Sequence, residues 1–278
     1  MSGPNPQTWE RTETKSSSVP KNHKRLKILA VSIIALTILS YLNDFGGIRG
    51  IDQSPASSCA ATPQRTAAQS SVKRAALVDA LSSVYPHPQF VDKIRTIMNN
   101  TGYGFDYFSE GAATLDFFFN LPSQGYSIII LRVEGVNIRV GDASPVAFAT
   151  SDQYASPQRI SDQMRNDLGV IEANGHTYFA MTPKAISQLM CGQFQGTTVL
   201  VMACNSLSDS SLAQAFIDKG AKSFIGWNGS ITIVHDDRVF TAVIALLTMG
   251  VQAGSAASYA SNLFGADPIW GGTLSSYD

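Results

Sequence analysis

The chain has 278 residues, of which 44% are hydrophobic and 15% are charged, and its formal net charge at pH 7 is -1. The charges are unevenly divided: residues 1–72 carry eight Lys or Arg against four Asp or Glu, whereas residues 73–278 carry twelve against seventeen. An acidic C-terminal part without a basic stripe lacks the charge that neutralises phosphates, so nucleic acid is not expected as a partner.

The chain has three cysteines, Cys59, Cys191 and Cys204, and none of them stands in a metal-ligand spacing such as C-x-x-C. Three cysteines cannot all pair within one chain, so we expect no disulfide framework. Residues 73–278 have enough apolar content to bury a self-supporting core. We therefore expect neither a structural metal nor a cofactor.

Residues 28–42 form an apolar run of fifteen residues without a charge, preceded by a cluster of basic residues. At 1.5 Å per residue this run spans only about 22 Å, and flanking residues extend its apolar reach to a crossing helix over residues 26–45. A cleaved signal peptide has a similar apolar length, but no small-x-small cleavage site follows closely. A buried core helix is the third interpretation. We expect a signal anchor.

The basic residues precede the apolar run, so the positive-inside rule places residues 1–25 in the cytoplasm and the rest of the chain outside. Residues 46–72 are rich in Gly, Ser, Ala, Gln and Pro and show no apolar period, which is typical of a flexible linker. The expected organisation is a cytoplasmic tail, a single membrane span, a linker, and a globular domain at residues 73–278 on the outer face of the cell membrane.

Within residues 73–278, apolar runs alternate with helix-like segments, which predicts an α/β fold with a mostly parallel central sheet flanked by helices. The predicted strands are residues 75–78, 105–108, 126–133, 176–181, 197–203 and 222–227. The predicted helices are residues 88–98, 115–121, 160–168, 183–190, 210–219 and 235–249. The runs YSIIILRV and TTVLVMA are apolar almost throughout, which favours strands buried on both faces.

Local signals mark several helix ends. Thr114 and Thr182 are predicted N-caps, because a threonine hydroxyl accepts a hydrogen bond from a free backbone N–H in the first turn. Gly102, Gly220 and Gly250 stand just past the last residues of predicted helices, where glycine commonly ends a helix.

Functional residues of parallel α/β sheets gather at the carboxyl ends of the strands. The strand at residues 126–133 is followed by Glu134 and Gly135, and the strand at residues 197–203 is followed by Cys204. A cysteine at the end of a central strand and ahead of a helix is exposed to ligand, and the helix N-terminus favours its thiolate. The alternative is an inert buried thiol.

The segments VMACNS at residues 201–206 and FIDKGAKSFIGW at residues 216–227 resemble the caspase-like cysteine peptidases, including the gingipain and clostripain branches. The resemblance covers about residues 73–250. It implies a caspase-like fold, Cys204 as the nucleophile, and an oxyanion hole of backbone N–H groups near Gly135 and Cys204. In that family a catalytic histidine, usually followed by glycine, stands at the position that Glu134 and Gly135 occupy in this chain.

Glu134 changes the chemistry that the resemblance implies. A carboxylate with a pKa of about 4 is a poor base for a thiol with a pKa of about 8.5, and its negative charge disfavours the thiolate. We therefore expect a prokaryotic, membrane-anchored homologue that is catalytically impaired and that binds a peptide or protein ligand as a binding or scaffold protein.

The alternative is an active cysteine peptidase with Cys204 as nucleophile and an unorthodox base. His235 is the candidate, because it follows the strand that ends in Gly-Trp and can reach the same edge of the sheet. Its competing interpretation is a residue that only starts the next helix. His87, in a loop between two prolines, is a further candidate to line the site, and its flanking prolines argue equally for a rigid connection.

Overall fold

A computed structural model describes residues 72–138, 144–173 and 175–278. Within these ranges, no helix is both long enough and apolar enough to cross a membrane. The tail at residues 1–25, the signal anchor at residues 26–45 and the linker as far as residue 71 lie outside the described residues, and their organisation stays a prediction.

The described residues form ten strands and seven α-helices. The strands are β1 Arg74–Asp79, β2 Gly104–Ser109, β3 Ile128–Arg132, β4 Gly135–Asn137, β5 Val146–Gln153, β6 Leu168–Ala173, β7 His176–Met181, β8 Thr198–Met202, β9 Ser223–Trp227 and β10 Leu274–Tyr277. The helices are α1 Pro88–Asn100, α2 Leu115–Asn120, α3 Ile160–Met164, α4 Pro183–Leu189, α5 Ser211–Asp218, α6 Ile233–Thr248 and α7 Ala253–Phe264. Short 3-10 helices cover Glu110–Ala112 and Leu121–Gln124.

The central sheet has six strands in the order β10-β9-β8-β3-β1-β2. Five of them are parallel, and β10 pairs antiparallel with β9 at one edge. The central neighbours β3 and β8 are buried along their length except at the first residue of β8. The prediction of an α/β fold with a mostly parallel central sheet is therefore confirmed.

Helices cover both faces of the central sheet, because successive side chains along each buried strand point to opposite faces. On one face, Ile129 and Leu131 of β3 pack with α2, α4 and α5. On the other, Ile128 and Ile130 pack with α1, α6 and α7. Each fully buried side chain of this size contributes about 1.5–3 kcal/mol to folding. The core therefore consists of two layers separated by the sheet.

A second, wholly antiparallel sheet with the order β4-β5-β7-β6 lies between β3 and β8 in the chain. The strand predicted at residues 176–181 exists as β7, but it belongs to this sheet. The helix predicted at residues 160–168 is wrong in its second half, because α3 ends at Met164 and β6 begins at Leu168. Asn166 adopts a left-handed conformation with a φ of 56°, which ends the helix.

The predicted caps are confirmed. The Thr114 hydroxyl accepts a hydrogen bond from the N–H of Phe117, and the Thr182 hydroxyl accepts one from the N–H of Ala185. The glycines predicted to end three helices have φ values between 77° and 95°, a region that favours glycine. The helix predicted from residue 235 begins two residues earlier, because Thr232 caps it.

Cys191 is disulfide-bonded, whereas Cys204 is a free thiol. The prediction that the three cysteines cannot all pair agrees with a free Cys204. The sequence analysis did not identify the bond at Cys191, because an odd number of cysteines forbids complete pairing but allows one bond and one free thiol.

Candidate functional site

The carboxyl ends of β1, β3, β8 and β9 bring chemically active side chains to one edge of the central sheet. Asp79, the last residue of β1, lies beside Arg132, the last residue of β3, and Arg132 pairs in register with Met202 of β8. Cys204 comes two residues after that pair, and Trp227 ends β9. Elements that follow these strands add further residues to the edge, where His87, before α1, contacts Asp237 of α6 across a separation of 150 positions.

Glu134 stands level with Cys204 across the two central strands. The register of Arg132 with Met202 continues through a hydrogen bond that the Val133 N–H donates to the Met202 carbonyl oxygen at 3.3 Å. Two residues beyond the pair Arg132 and Met202, the same register places Glu134 beside Cys204. The second sheet fixes this turn, since the N–H of Ala149 donates to the carbonyl oxygen of Glu134 at 2.9 Å.

Gly135 is required by close packing against the end of β8. A Cβ atom at Gly135 would lie 2.7 Å from the carbonyl oxygen of Cys204 and 2.8 Å from the Cβ of Ala203. Neither distance is compatible with a side chain, so the Glu-Gly turn is pressed directly against the cysteine. The structure therefore brings three of the predicted site residues, Glu134, Gly135 and Cys204, together.

The Cys204 sulfur lies under the loop that precedes α6. Its Sγ accepts a hydrogen bond from the N–H of Ile231 at 3.4 Å and contacts the carbonyl oxygen of the same residue at 3.7 Å. The side chain is partly buried and packs against the apolar layer formed by α1, α6 and α7. The thiol is thus held by backbone groups and apolar neighbours.

The surroundings of Cys204 oppose its ionisation. Burial raises the pKa of the Cys204 thiol, and the nearby carboxylates of Glu134, Asp236 and Asp267 raise it further. The N–H of Ile231 acts in the opposite direction but does not reverse the shift. Burial also raises the pKa of Glu134. A protonated thiol is consequently the favoured state near neutral pH.

His235 lies in the first turn of α6 and faces Trp227. Its ring centroid is 5.6 Å from that of Trp227, and its side chain is largely buried. The Nε2 atom is buried and makes no hydrogen bond with any described residue. Among the described residues, no hydrogen bond joins the His235 ring to Cys204. The arrangement leaves His235 with an unused polar atom, close in sequence to Ile231.

Arg132 is the centre of a buried ionic cluster that the sequence analysis missed. Its guanidinium, 1% exposed, donates from Nη1 to Asp79 Oδ1 at 2.9 Å and from Nε to Asp237 Oδ1 at 2.9 Å. It also donates to the carbonyl oxygen of Tyr85 at 3.2 Å. His87 extends the cluster to the surface, with Nδ1 2.6 Å from Asp237 Oδ2. An arginine at the end of an otherwise apolar strand was the available signal.

Asp236 and Asp237, near the start of α6, each have a partner on a strand of the central sheet. Both carboxylates are buried, so interaction with the dipole of α6 is not a sufficient explanation. Asp237 pairs with Arg132, and Asp236 accepts a hydrogen bond from Trp227 Nε1 at 2.7 Å. Burial raises the pKa of Asp236 well above its usual value.

Asp267 fastens the segment after α7 to the start of α6. Its Oδ2 accepts hydrogen bonds from the N–H and hydroxyl of Thr232 at 2.7 and 2.8 Å, and its Oδ1 accepts from the N–H groups of Ile269 and Trp270 at 2.9 and 2.8 Å. Burial acts to raise the pKa of Asp267, but these hydrogen bonds prevail and lower it to about 2. This carboxylate is therefore ionised at neutral pH.

Over residues 72–138, 144–173 and 175–278, no three or more His, Cys, Asp or Glu side chains are grouped so that they could hold a metal ion. The carboxylates of the aspartates at the edge instead pair with Arg132, with Trp227 or with backbone N–H groups. The chemistry available at this edge is that of a thiol, a half-buried carboxyl group and backbone donors.

No protein-family model and no curated protein matches this sequence. Among solved structures, the chain is similar to the Arg-specific cysteine proteinase gingipain R (RgpB), with 11% sequence identity and a TM-score of 0.40. The similarity covers 69% of this chain and 42% of that chain, so the chain matches less than half the length of the proteinase. A likeness this distant does not establish a family.

Proposed function

We propose that residues 73–278 form a caspase-like cysteine-peptidase homologue that binds a peptide or protein segment beside Cys204 and hydrolyses it poorly or not at all. The observation that carries this proposal is the position of Glu134, level with Cys204 at the end of the neighbouring strand. The resemblance at residues 201–206 and 216–227 and the parallel order of the central strands support the caspase-like interpretation.

The chemistry of the pair supports impaired turnover. A cysteine peptidase needs a base that takes the thiol proton and later donates it to the leaving amine. An ionised Glu134 repels the thiolate, and a protonated Glu134 has no site for the proton. Neither state of the carboxyl group assists the attack of Cys204 on a peptide carbonyl carbon. A bound segment would still find backbone donors near Gly135 and Cys204 for its carbonyl oxygen.

One observation favours a second candidate, an active cysteine endopeptidase in which His235 is the base. The Nε2 atom of His235 is buried without a partner among the described residues. A buried polar atom in this state lowers the stability of the fold, and a catalytic role is one reason for such a cost to be retained. Ile231, whose N–H contacts the Cys204 sulfur, lies on the same segment four residues earlier. This candidate requires the imidazole to leave its contact with Trp227 and approach the sulfur.

We further propose that the domain is tethered to the outer face of the cell membrane by the signal anchor at residues 26–45 and the linker at residues 46–72. The one-sided basic cluster before the apolar run supports this orientation. External protease treatment of intact cells should release the domain and spare residues 1–25. A domain that resists protease on intact cells and is digested after lysis would contradict the orientation.

The test of the main proposal is the pH dependence of Cys204 alkylation by iodoacetamide, followed on the Cys204 peptide by mass spectrometry. The native protein should react slowly at pH 7 and accelerate only well above the ordinary thiol pKa. Glu134→His supplies a base and removes the opposing charge. The alkylation rate at pH 7 should rise about tenfold or more, because the thiolate fraction becomes about ten times larger when the thiol pKa falls by one unit. Glu134→Gln separates the loss of charge from the gain of a base.

A different pattern of alkylation rates would contradict the proposal. Rapid alkylation of native Cys204 near neutral pH that slows in His235→Ala would identify His235 as the base and overturn the impaired-enzyme proposal. Cys204→Ala provides the background for label at other positions.

A further inference from the structure

The segment between α7 and β10, residues 265–273, presents two large apolar side chains to solvent. Ile269 is 69% exposed and Trp270 is 65% exposed. We call this segment the Trp270 loop. Tryptophan is highly buried on average in folded domains, and it is enriched among the interface residues that contribute most of the binding energy. Single exposed apolar residues are common, so the case depends on how this pair is held and where it lies.

The backbone of the Trp270 loop is fixed. The buried carboxylate of Asp267 accepts hydrogen bonds from the N–H groups of both Ile269 and Trp270, while its other oxygen holds Thr232. Gly272 donates to the carbonyl oxygen of Ser230 at 3.2 Å, and a Cβ atom at Gly272 would lie 2.8 Å from a methyl group of Ile231. Two exposed apolar side chains on a backbone this constrained lose little conformational freedom on binding.

The loop belongs to the same edge as Cys204. It packs against residues 229–232, and within that segment Ile231 donates its N–H to the Cys204 sulfur. On the other side, the N–H of Asn205 donates to the carbonyl oxygen of Gly229 at 3.0 Å. The charge of Asp267 is near enough to oppose ionisation of Cys204. A continuous set of backbone contacts therefore connects the thiol to the Trp270 loop.

We propose that Ile269 and Trp270 form a subsite that takes an aromatic or branched aliphatic side chain of the polypeptide segment bound beside Cys204. This inference rests on the proposed function, because it assumes that a polypeptide occupies the edge. The size of the surface favours one ligand side chain over a second copy of this chain. Two exposed side chains offer a few hundred Å², whereas a stable interface buries about 800 Å² on each partner.

The test compares two reagents that alkylate the same sulfur, N-iodoacetyl-phenylalanine amide and N-iodoacetyl-glycine amide. Their ratio of rate constants at Cys204 cancels the reactivity of the thiol and measures recognition of the side chain. At pH 9, where a thiol of raised pKa is partly ionised, we expect a ratio of about ten in the native protein, equivalent to about 1.4 kcal/mol. Trp270→Ala should bring the ratio close to one.

Tyr259→Ala is the matched control, because Tyr259 is a similarly exposed aromatic residue on α7. Its ratio should equal that of the native protein. A native ratio near one, or a ratio that survives in Trp270→Ala, would overturn the subsite. A concentration-dependent dimer that is lost in Trp270→Ala, seen by sedimentation, would assign the pair to a second copy and overturn it too.

The two proposals fail separately. The absolute rate with iodoacetamide near neutral pH tests whether Glu134 leaves Cys204 unreactive, whereas the ratio between the two larger reagents tests Trp270. A fast reaction that keeps a tenfold preference would refute impaired turnover and retain the subsite. A slow reaction without preference would have the opposite meaning.

Discussion

Two groups of ionisable side chains share one edge of the central sheet and differ in how their charges are compensated. Around Arg132, the carboxylates of Asp79 and Asp237 face a guanidinium at 2.9 Å, and His87 contacts Asp237 from the surface. Around Cys204, two residues further along the edge, Glu134 has no positive partner among the described residues. The carboxylates of Asp236 and Asp267 act in the same direction as Glu134 and raise the pKa of the Cys204 thiol. The first group is a compensated ionic cluster, and the second is not.

This difference separates a structural part of the edge from a candidate functional part. A buried arginine that holds two carboxylates fixes β1, β3 and α6 relative to one another, because removal of any member leaves a buried charge without a partner. On the other side, Cys204 and Glu134 are partly buried without a positive partner among the described residues, and their ionisation is disfavoured. Residues kept in unfavourable electrostatic environments are candidates for function, and the Trp270 loop adjoins that side.

The largest effect that the comparison predicts is on stability. Arg132→Met keeps much of the side-chain volume but leaves Asp79 and Asp237 buried without their cation, so the free energy of unfolding should fall by about 3–5 kcal/mol. Urea denaturation followed by circular dichroism measures the loss. Glu134→Gln is the matched variant from the other side of the edge, and its stability should be unchanged or slightly higher.

Equal losses in Arg132→Met and Glu134→Gln would remove the distinction between the two sides. A loss below about 1 kcal/mol in Arg132→Met would show that the cluster contributes little more than a surface ion pair.

The parts of the fold that the sequence predicted are those whose local signals agree with tertiary packing. Apart from Arg132 and Thr198 at their ends, the strands β3 and β8 consist of apolar residues, and the interior of a parallel sheet buries both of their faces. Thr114 and Thr182 predicted helix starts because their hydroxyls satisfy backbone donors wherever the helix packs. These features depend on neighbours within a few residues.

The second sheet was not predicted because its strands lack a strong pattern of their own. β4 has three residues, and β6 carries the apolar residues of a segment whose spacing also fits a helix. Helix α7 was not predicted for a different reason. Its buried face lacks a stripe of large apolar residues and consists of alanines, Ala253, Ala256, Ala257 and Ala260. Small residues allow the helix to pack closely against its neighbours, so this face is sufficient to hold the helix in the fold.

For the site, the sequence identified the residues that follow strands and missed those that meet across the fold. Glu134 and Cys204 were found because each comes directly after a buried strand. The partners of Arg132 lie 53 and 105 positions away, and no local pattern relates them. The Trp270 loop was missed because exposure of a tryptophan depends on tertiary packing. The roles of Cys204, Glu134, Gly135 and His235 stay predictions that the proposed experiments decide.

A smaller effect concerns Asp236, the buried carboxyl group between the two sides. Burial raises its pKa in the folded protein, so the folded state binds a proton that the unfolded state releases above a pKa of about 3.9. Its stabilising effect is complete below that value and is lost as the pH rises towards the folded pKa. Asp236→Asn imitates the protonated group and keeps an oxygen that accepts from Trp227 Nε1. The variant should therefore match the native protein near pH 4 and exceed its stability at pH 7.

At pH 7 the variant should have a higher melting temperature than the native protein, because the native protein no longer has the full stabilising effect of the proton on Asp236. Thermal unfolding between pH 4 and pH 8 measures the difference, with Asp92→Asn as the matched control, since Asp92 is exposed and forms a surface ion pair with Arg95. Asp79, whose pKa is also raised by burial, stays in both proteins, so some loss of stability with rising pH should persist in Asp236→Asn. If the two proteins instead lose stability in parallel from pH 4 to pH 8, Asp236 is ionised when folded. Asp236 would then belong with Glu134 to the group whose negative charge has no positive partner. The compensated cluster around Arg132 would include Asp237 but not Asp236.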